Sequence, residues 1–270
     1  VITADSDFLT LTTPRPIGAL RFSATIPDGW QQGRGAFGGL VVALLIRAME
    51  ASEAAPDRAL RSLTAEICGP VLAGEIEIAV RVLRRGTGVT TLAAEIAQGG
   101  EVSAHAVGVV GRPRADRPRR TYVAPPSPPP WREVAPLPDP PPPFVPRFAS
   151  HLEIRNVGPF PFSGSPAPEA SGWLRFRNPG AARDAAFLAG LVDGYWPAIF
   201  STERATRPVG TIAFTFQPVG TCDGLDPDAP FFHRERVLAE DEGYTVEQRE
   251  LWGEDGRLLA LNQQTIAVIR

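Results

Sequence analysis

Two segments of the chain are apolar on every side instead of along one stripe. Residues 36–49 read AFGGLVVALLIRAM and residues 185–200 read AAFLAGLVDGYWPAIF. A helix without a polar face has nothing to offer water, so both segments predict buried helices. Gly35, Gly38 and Gly39 mark the start of the first and permit close backbone approach. The second is interrupted near Gly194 and Pro197.

After each helix comes a strand-like run ending in proline, at 62–70 and 210–218. Longer strand-like runs follow, at 75–83, 90–98 and 101–110 in the first half and at 231–239, 244–252 and 258–269 in the second. The last two of each set are joined by a tight turn, through Gly99 and Gly100 or through Gly253 to Gly256. Strands at about 18–27 and 171–177 precede the helices. One unit is therefore written twice: strand, buried helix, then antiparallel strands. A curved sheet wrapped around the helix supplies the apolar surface it needs. The expected fold class is α+β, a double hotdog, with two antiparallel sheets each wrapped around a buried central helix. A lone unit of this kind would leave a sheet edge exposed, and duplication within one chain makes the relieving pairing permanent.

Composition refines this picture at three points. Proline is concentrated between the halves, at Pro125, Pro126, Pro128 to Pro130 and Pro140 to Pro143, where neither helix nor central strand can form. The expected division is an N-terminal hotdog over 1–112, an extended Pro-rich linker over 113–148 and a C-terminal hotdog over 149–270. The net charge of -3 leaves no broad basic field for nucleic acid. All 27 cationic side chains are arginine, which rules out a Schiff-base lysine and a P-loop lysine. Cys68 and Cys222 are far apart and in no metal-like spacing, as expected for free thiols in a reduced compartment. Residues 1–7 lack a signal-peptide pattern and no apolar run reaches the ~20 residues of a membrane span, so a cytoplasmic setting is expected.

The candidate chemistry is sparse. Asp193 sits inside the second apolar helix, where a carboxylate is costly to bury unless paired or used. It is either satisfied by backbone donors freed at the Gly194 break or it polarises a water. Gln264 lies in the last strand and alternates with Asn262 and Ile266 on one face. As a neutral amide it can orient a water, and as a strand polar it can simply face solvent. Thr211 begins the strand after the second helix, a position Thr also fills for steric reasons alone. Gly33 to Gly38 fits G-x-G-x-x-G, but a turn-like run through Pro27, Asp28 and Gly29 stands where a dinucleotide fold needs a strand. The N–H groups at that helix start nevertheless suit a carbonyl oxygen or a phosphate. His105, His151 and His233 show no metal-ligand spacing, and no G-x-S-x-G elbow occurs.

At these residues the chain resembles the acyl-CoA thioesterase II family of double-hotdog proteins. The resemblance runs through Gln32 to Val42, Ser62 to Pro70, Gly172 to Arg177 with the helix up to Pro197, and Leu258 to Arg270. It implies hydrolysis of a fatty or related acyl-CoA by a water held by an Asp, a Thr or Ser, and a Gln. Asp193 falls on the family Asp and Gln264 on the family Gln. The family Thr position falls near Val209; Thr211, two residues later, points to the same side of a regular strand. The resemblance further implies no cofactor and no metal, acyl contacts from Gly38, Gly39 and Trp196, and pairing of two chains as a homodimer. Arg34, Arg84 and Arg85 are candidates for the CoA phosphates. Because the hydroxyl is displaced, a hotdog protein that binds an acyl thioester without cleaving it stays open. So does a hotdog hydratase or dehydratase, although no His lies near either helix in sequence.

Overall fold

The computed structural model describes residues 2–114, 119–138 and 145–269; Pro140 to Pro143 of the expected linker lie outside them. A short helix α1 (Phe8–Thr12) opens the chain, capped by Asp7, whose side chain accepts from the Thr10 amide. Strands β1 (Arg15–Gly18) and β2 (Arg21–Ile26) follow, then a two-residue hairpin of β3 (Gln31–Gln32) and β4 (Gly35–Ala36). The hairpin turn uses Gly33 at φ 64°, in the left-handed region. Helix α2 (Gly38–Ala51) leads into β5 (Ala59–Ile67), β6 (Gly74–Arg85), β7 (Val89–Gln98) and β8 (Glu101–Gly111). The second half repeats the order with β9 (Leu152–Asn156), β10 (Glu169–Phe176), α3 (Ala185–Val192), β11 (Val209–Pro218), β12 (Phe231–Asp241), β13 (Tyr244–Trp252) and β14 (Leu258–Val268).

The expectation of two sheets is corrected by the strand order, β1-β2-β6-β7-β8-β5-β11-β14-β13-β12-β10-β9. This is one continuous twelve-stranded sheet. The join is β5 against β11, antiparallel, with Ala213 opposite Glu66 and Thr215 opposite Thr64. Each of these strands directly follows its helix, so each would be the open edge of its own half. Pairing the two edges satisfies both rows of backbone groups at once.

The helices pack on each other as well as on the sheet. A β-carbon at Gly39 would lie 2.9 Å from the Gly190 carbonyl oxygen, and one at Gly190 would lie 2.4 Å from the Phe8 ring. The crossing of α2 on α3 therefore depends on Gly39, while Gly190 makes room for the Phe8 ring of α1. A single hydrophobic cluster runs from Phe8 and Trp30 through α2 and α3 to Phe231 and Leu259. A second, smaller cluster of Trp173, Phe232, Trp252 and Leu258 lies apart from it. The described linker residues cover that cluster. Val123, Trp131 and Val134 pack on it, Trp173 Nε1 donates to the Pro129 carbonyl at 3.0 Å, and Arg155 donates to the carbonyls of Trp131 and Val134. At the linker's end Phe148 stacks on Phe37, the residue that precedes α2, at 4.2 Å.

Candidate active site

The second apolar segment is helical only as far as Val192. Asp193 is the C-cap of α3, still near the helical region at φ -94° and ψ -5°, and the Gly194 amide donates back to Leu191 at 2.9 Å. Pro197 then starts a 3-10 turn, Ala198–Ser201. Asp193 thus stands at the end of a helix, where its carboxylate can leave the helix axis and reach another element.

That element is the start of α2. Phe37, the residue that precedes α2, makes no side-chain capping bond. The first amides of α2 face Asp193: a β-carbon at Gly38 would lie 2.8 Å from Asp193 Oδ2, and the Gly39 amide hydrogen-bonds the carboxylate. A carboxylate at a helix N-terminus gains both from the free N–H groups and from the helix dipole. The other oxygen, Oδ1, accepts from Gln264 Nε2 at 2.7 Å and from Arg249 Nη1 at 3.4 Å. Burial raises the pKa of Asp193 above the ordinary aspartate range; Arg249, Gln264 and the Gly39 amide oppose that shift without cancelling it. Asp193 is buried, with 8% of its surface exposed.

Gln264 is fully buried, not solvent-facing. Its amide is oriented by its partners. Nε2 also donates to Asn262 Oδ1 at 3.0 Å, and Oε1 accepts from the Thr211 hydroxyl at 2.6 Å. Asn262 is fixed in turn by donating to the Thr215 carbonyl at 2.6 Å. Thr211 reaches this chain through a bulge. Phe214 lies opposite Gln264, and in a regular strand a residue three places earlier would face the other side. The β11–β14 ladder skips Ile212, which is left exposed, and Thr211 lands opposite buried Ile266.

The six expected site residues fare differently. Asp193, Gln264, Thr211, Gly38 and Gly39 come together. Trp196 instead packs against Tyr195 with the rings tilted by 37° and their centroids 4.1 Å apart, and its Nε1 has no hydrogen-bond partner among the described residues. Of the arginines, Arg34 sits in the exposed β3–β4 turn four residues before α2. Arg84 and Arg85 end β6, where Arg85 meets Glu53 at 3.6 Å, just beyond the far end of α2. A helix of this length spans roughly 20 Å, which puts that pair remote from Asp193.

Sequence reading missed Asn262 as a partner of Gln264, and it missed Arg249, Glu247, Glu235 and His233, which are buried behind Asp193. A small space of about 10 Å³ lies among Ile199, Phe200, Val209, Ile266 and Val268, with Glu203, Arg207, Glu240 and Thr245 also on its wall. Among the described residues no cluster of His, Cys, Asp and Glu could hold a metal ion, and no helix is long and apolar enough to cross a membrane.

The fold is a duplicated helix-and-sheet unit in which Asp193, Gln264 and Thr211 meet. Residues 26–111 match the acyl-CoA thioesterase N-terminal domain and residues 130–268 match the acyl-CoA thioesterase C-terminal domain, so the chain belongs to the acyl-CoA thioesterase family. Among solved structures it is similar to a conserved protein of unknown function with a hot dog fold from Alicyclobacillus acidocaldarius. The identity is 23%, the match covers 97% of this chain and 98% of that one, and the TM-score is 0.85. It is also similar to the acyl-CoA thioesterase II TesB2 of Mycobacterium marinum, with 15% identity, 97% and 98% coverage and a TM-score of 0.76. No curated protein matches the sequence.

Proposed function

We propose that the protein hydrolyses the thioester of a fatty or related acyl-CoA at Asp193, with Asp193 as general base. The observation that carries this reading is the unbroken chain Thr211–Gln264–Asp193 ending at the first amides of α2. Gln264 fixes Oδ1 of Asp193 and the hydroxyl of Thr211 in one stroke. A water between the two can give one proton to the carboxylate and its other hydrogen bond to Thr211 Oγ1. The water oxygen attacks the thioester carbon, the carbon–sulfur bond breaks, and CoA leaves as the thiolate. A thiolate is a good leaving group, so no strong acid is required. The start of α2, whose Gly39 amide already meets Asp193, turns its positive dipole end to the carbonyl oxygen as that oxygen gains charge, and Gly38 has no side chain to keep it away.

Arg34, in the turn leading to α2, is the arginine best placed for a CoA phosphate.

The test is release of free thiol from acyl-CoAs of graded chain length. Release from some members of the series is expected, with Asp193→Asn losing most of it in a folded protein. No release from any member, or a full rate in Asp193→Asn, would overturn the reading.

A further inference from the structure

The groups behind Asp193 form a second layer that the hydrolysis itself does not use. Residues 245, 247, 249 and 251 of β13 alternate towards the core, and two of them are charged: Glu247 and Arg249, with 0% and 2% of their surface exposed. Isolated charges this deep are strongly disfavoured, so each needs a partner with good geometry. Arg249 Nε donates to Glu247 Oε1 at 2.6 Å and lies 3.1 Å from Glu235 Oε2 on β12. Its Nη1 points to two neighbouring acceptors, the Val192 carbonyl and Asp193 Oδ1, each at 3.4 Å. The Val192 carbonyl belongs to the last turn of α3, which has no helical donor and also accepts from His233 Nε2 at 2.9 Å. Glu247 Oε2 accepts from the Ala198 amide at 2.6 Å, at the start of the 3-10 turn after Pro197. The same ion pair therefore holds the backbone on both sides of Asp193 and the carboxylate between them.

We propose that Arg249, anchored by Glu247 and Glu235, is a positioning residue that fixes Asp193 Oδ1 from behind and leaves Oδ2 to face α2 and the substrate. The inference rests on Asp193 being the general base. It assigns Arg249 no contact with substrate. The charge of Arg249 also matters for when Asp193 works. The groups facing Asp193 are the Gly39 amide from α2, Gln264 from β14, Arg249 and Glu247 from β13, and Glu235 with His233 from β12. Arg249 is the one cation among them, because burial and Arg249 itself keep His233 neutral. Burial drives Asp193 towards its protonated form and Arg249 opposes this, so loss of the guanidinium moves the carboxylate's titration to higher pH.

The experiment is a pH–rate profile for thiol release by the full chain, comparing wild type with Arg249→Gln, Arg249→Lys and Glu247→Gln, with Asp193→Asn alongside. In Arg249→Gln, kcat is expected to fall about a hundredfold, while KM stays within about threefold. The acid limb of kcat/KM is expected to move up by about one pH unit. Arg249→Lys should recover part of both effects, because it restores the charge without the fork. Where Arg249→Gln does not fold, Arg249→Lys and Glu247→Gln decide, each with a smaller loss in kcat and a shifted acid limb. An inactive Asp193→Asn beside folded Arg249 and Glu247 variants with wild-type kcat and acid limb would overturn this inference alone. A fully active Asp193→Asn would overturn the catalytic reading and this inference with it.

Discussion

Asp193 presses its carboxylate against Gly38, so closely that a β-carbon on the glycine would sit 2.8 Å from Oδ2. The two residues come from different halves of the chain, so neither half contains the site. The second half supplies Asp193, the proposed base, together with Gln264 and Thr211, and the first half supplies the start of a buried helix. Holding them together are the glycine crossing of α2 on α3 and the β5–β11 ladder that makes one sheet of two. Gly38→Ala is expected to displace the carboxylate by several tenths of an ångström and to lower kcat by up to about a hundredfold. The flexible end of Asp193 is what moves, so circular dichroism and the melting temperature should stay close to wild type. An alanine variant at full rate would show that the contact is not needed for chemistry.

The acidity of Asp193 sets a pH dependence. A general base works only when deprotonated, so kcat/KM falls as pH drops through its pKa. Burial places that pKa above the ordinary aspartate range. The acid limb of the profile is therefore expected above about pH 4, the midpoint of an unperturbed aspartate's titration. Measuring kcat/KM across the acid range checks this. A rate that is flat down to that pH would mean that Asp193 is not raised or is not the base.

Thr211 stands next to the extra residue of the β11 bulge. Removing its hydroxyl in Thr211→Val leaves Gln264 Oε1 without this donor and is expected to cost about tenfold in kcat, the rate equivalent of one hydrogen bond worth ~1.4 kcal/mol. Deleting Ile212 restores an even ladder and leaves Thr211 two residues before Phe214, still on the inner face with Gln264. The deletion is therefore expected to keep more of kcat than Thr211→Val, because the hydroxyl stays within reach of Gln264. A deletion variant as slow as Thr211→Val would show that the bulge itself is needed.

Much of this could be read from the sequence, for identifiable reasons. Both central helices lack a polar face, and both sets of strands are punctuated by glycine turns, so their existence and order follow from local pattern. Asp193 stood out because a carboxylate interrupts an otherwise apolar run. The β5–β11 pairing was not legible, since nothing local in residues 63–66 names 213–216 as their neighbours. Arg249 was hidden for a different reason. In β13 polar residues occur at both parities, with Glu247 and Arg249 on one side and Gln248 and Glu250 on the other, so alternation designates no inner face. Both Arg249 and Glu250 are buried, one behind the site and the other, with Trp252, on the side covered by the linker. Thr211 was placed on the correct side from its distance to Val209, while its distance to Phe214 would have misplaced it. Parity survives only as far as the next bulge.

The buried pair Glu235 and His233 should shape stability at opposite ends of the pH scale. His233 donates Nε2–H to the Val192 carbonyl, so its Nδ1 is the bare nitrogen, 3.9 Å from Glu235 Oε2. Burial and the nearby Arg249 push the His233 pKa down to about 3. Burial and the Glu247 charge push Glu235 well up, so it carries a proton where an ordinary glutamate would not. The signs then differ. Unfolding lets His233 take up a proton below about pH 6.5, so its contribution is lost as pH falls from there towards 3. Unfolding lets Glu235 release its proton above the ordinary glutamate pKa, so its contribution is lost as pH rises towards the folded value. Each fully developed proton difference changes stability by about 1.4 kcal/mol per pH unit. Glu235→Gln keeps a neutral side chain of the same shape and removes the second difference alone. Its melting temperature is expected to fall less than that of wild type on the alkaline side and equally on the acid side. Parallel curves for the two proteins on the alkaline side would mean that Glu235 is already ionised in the fold, with Arg249 as its counter-charge.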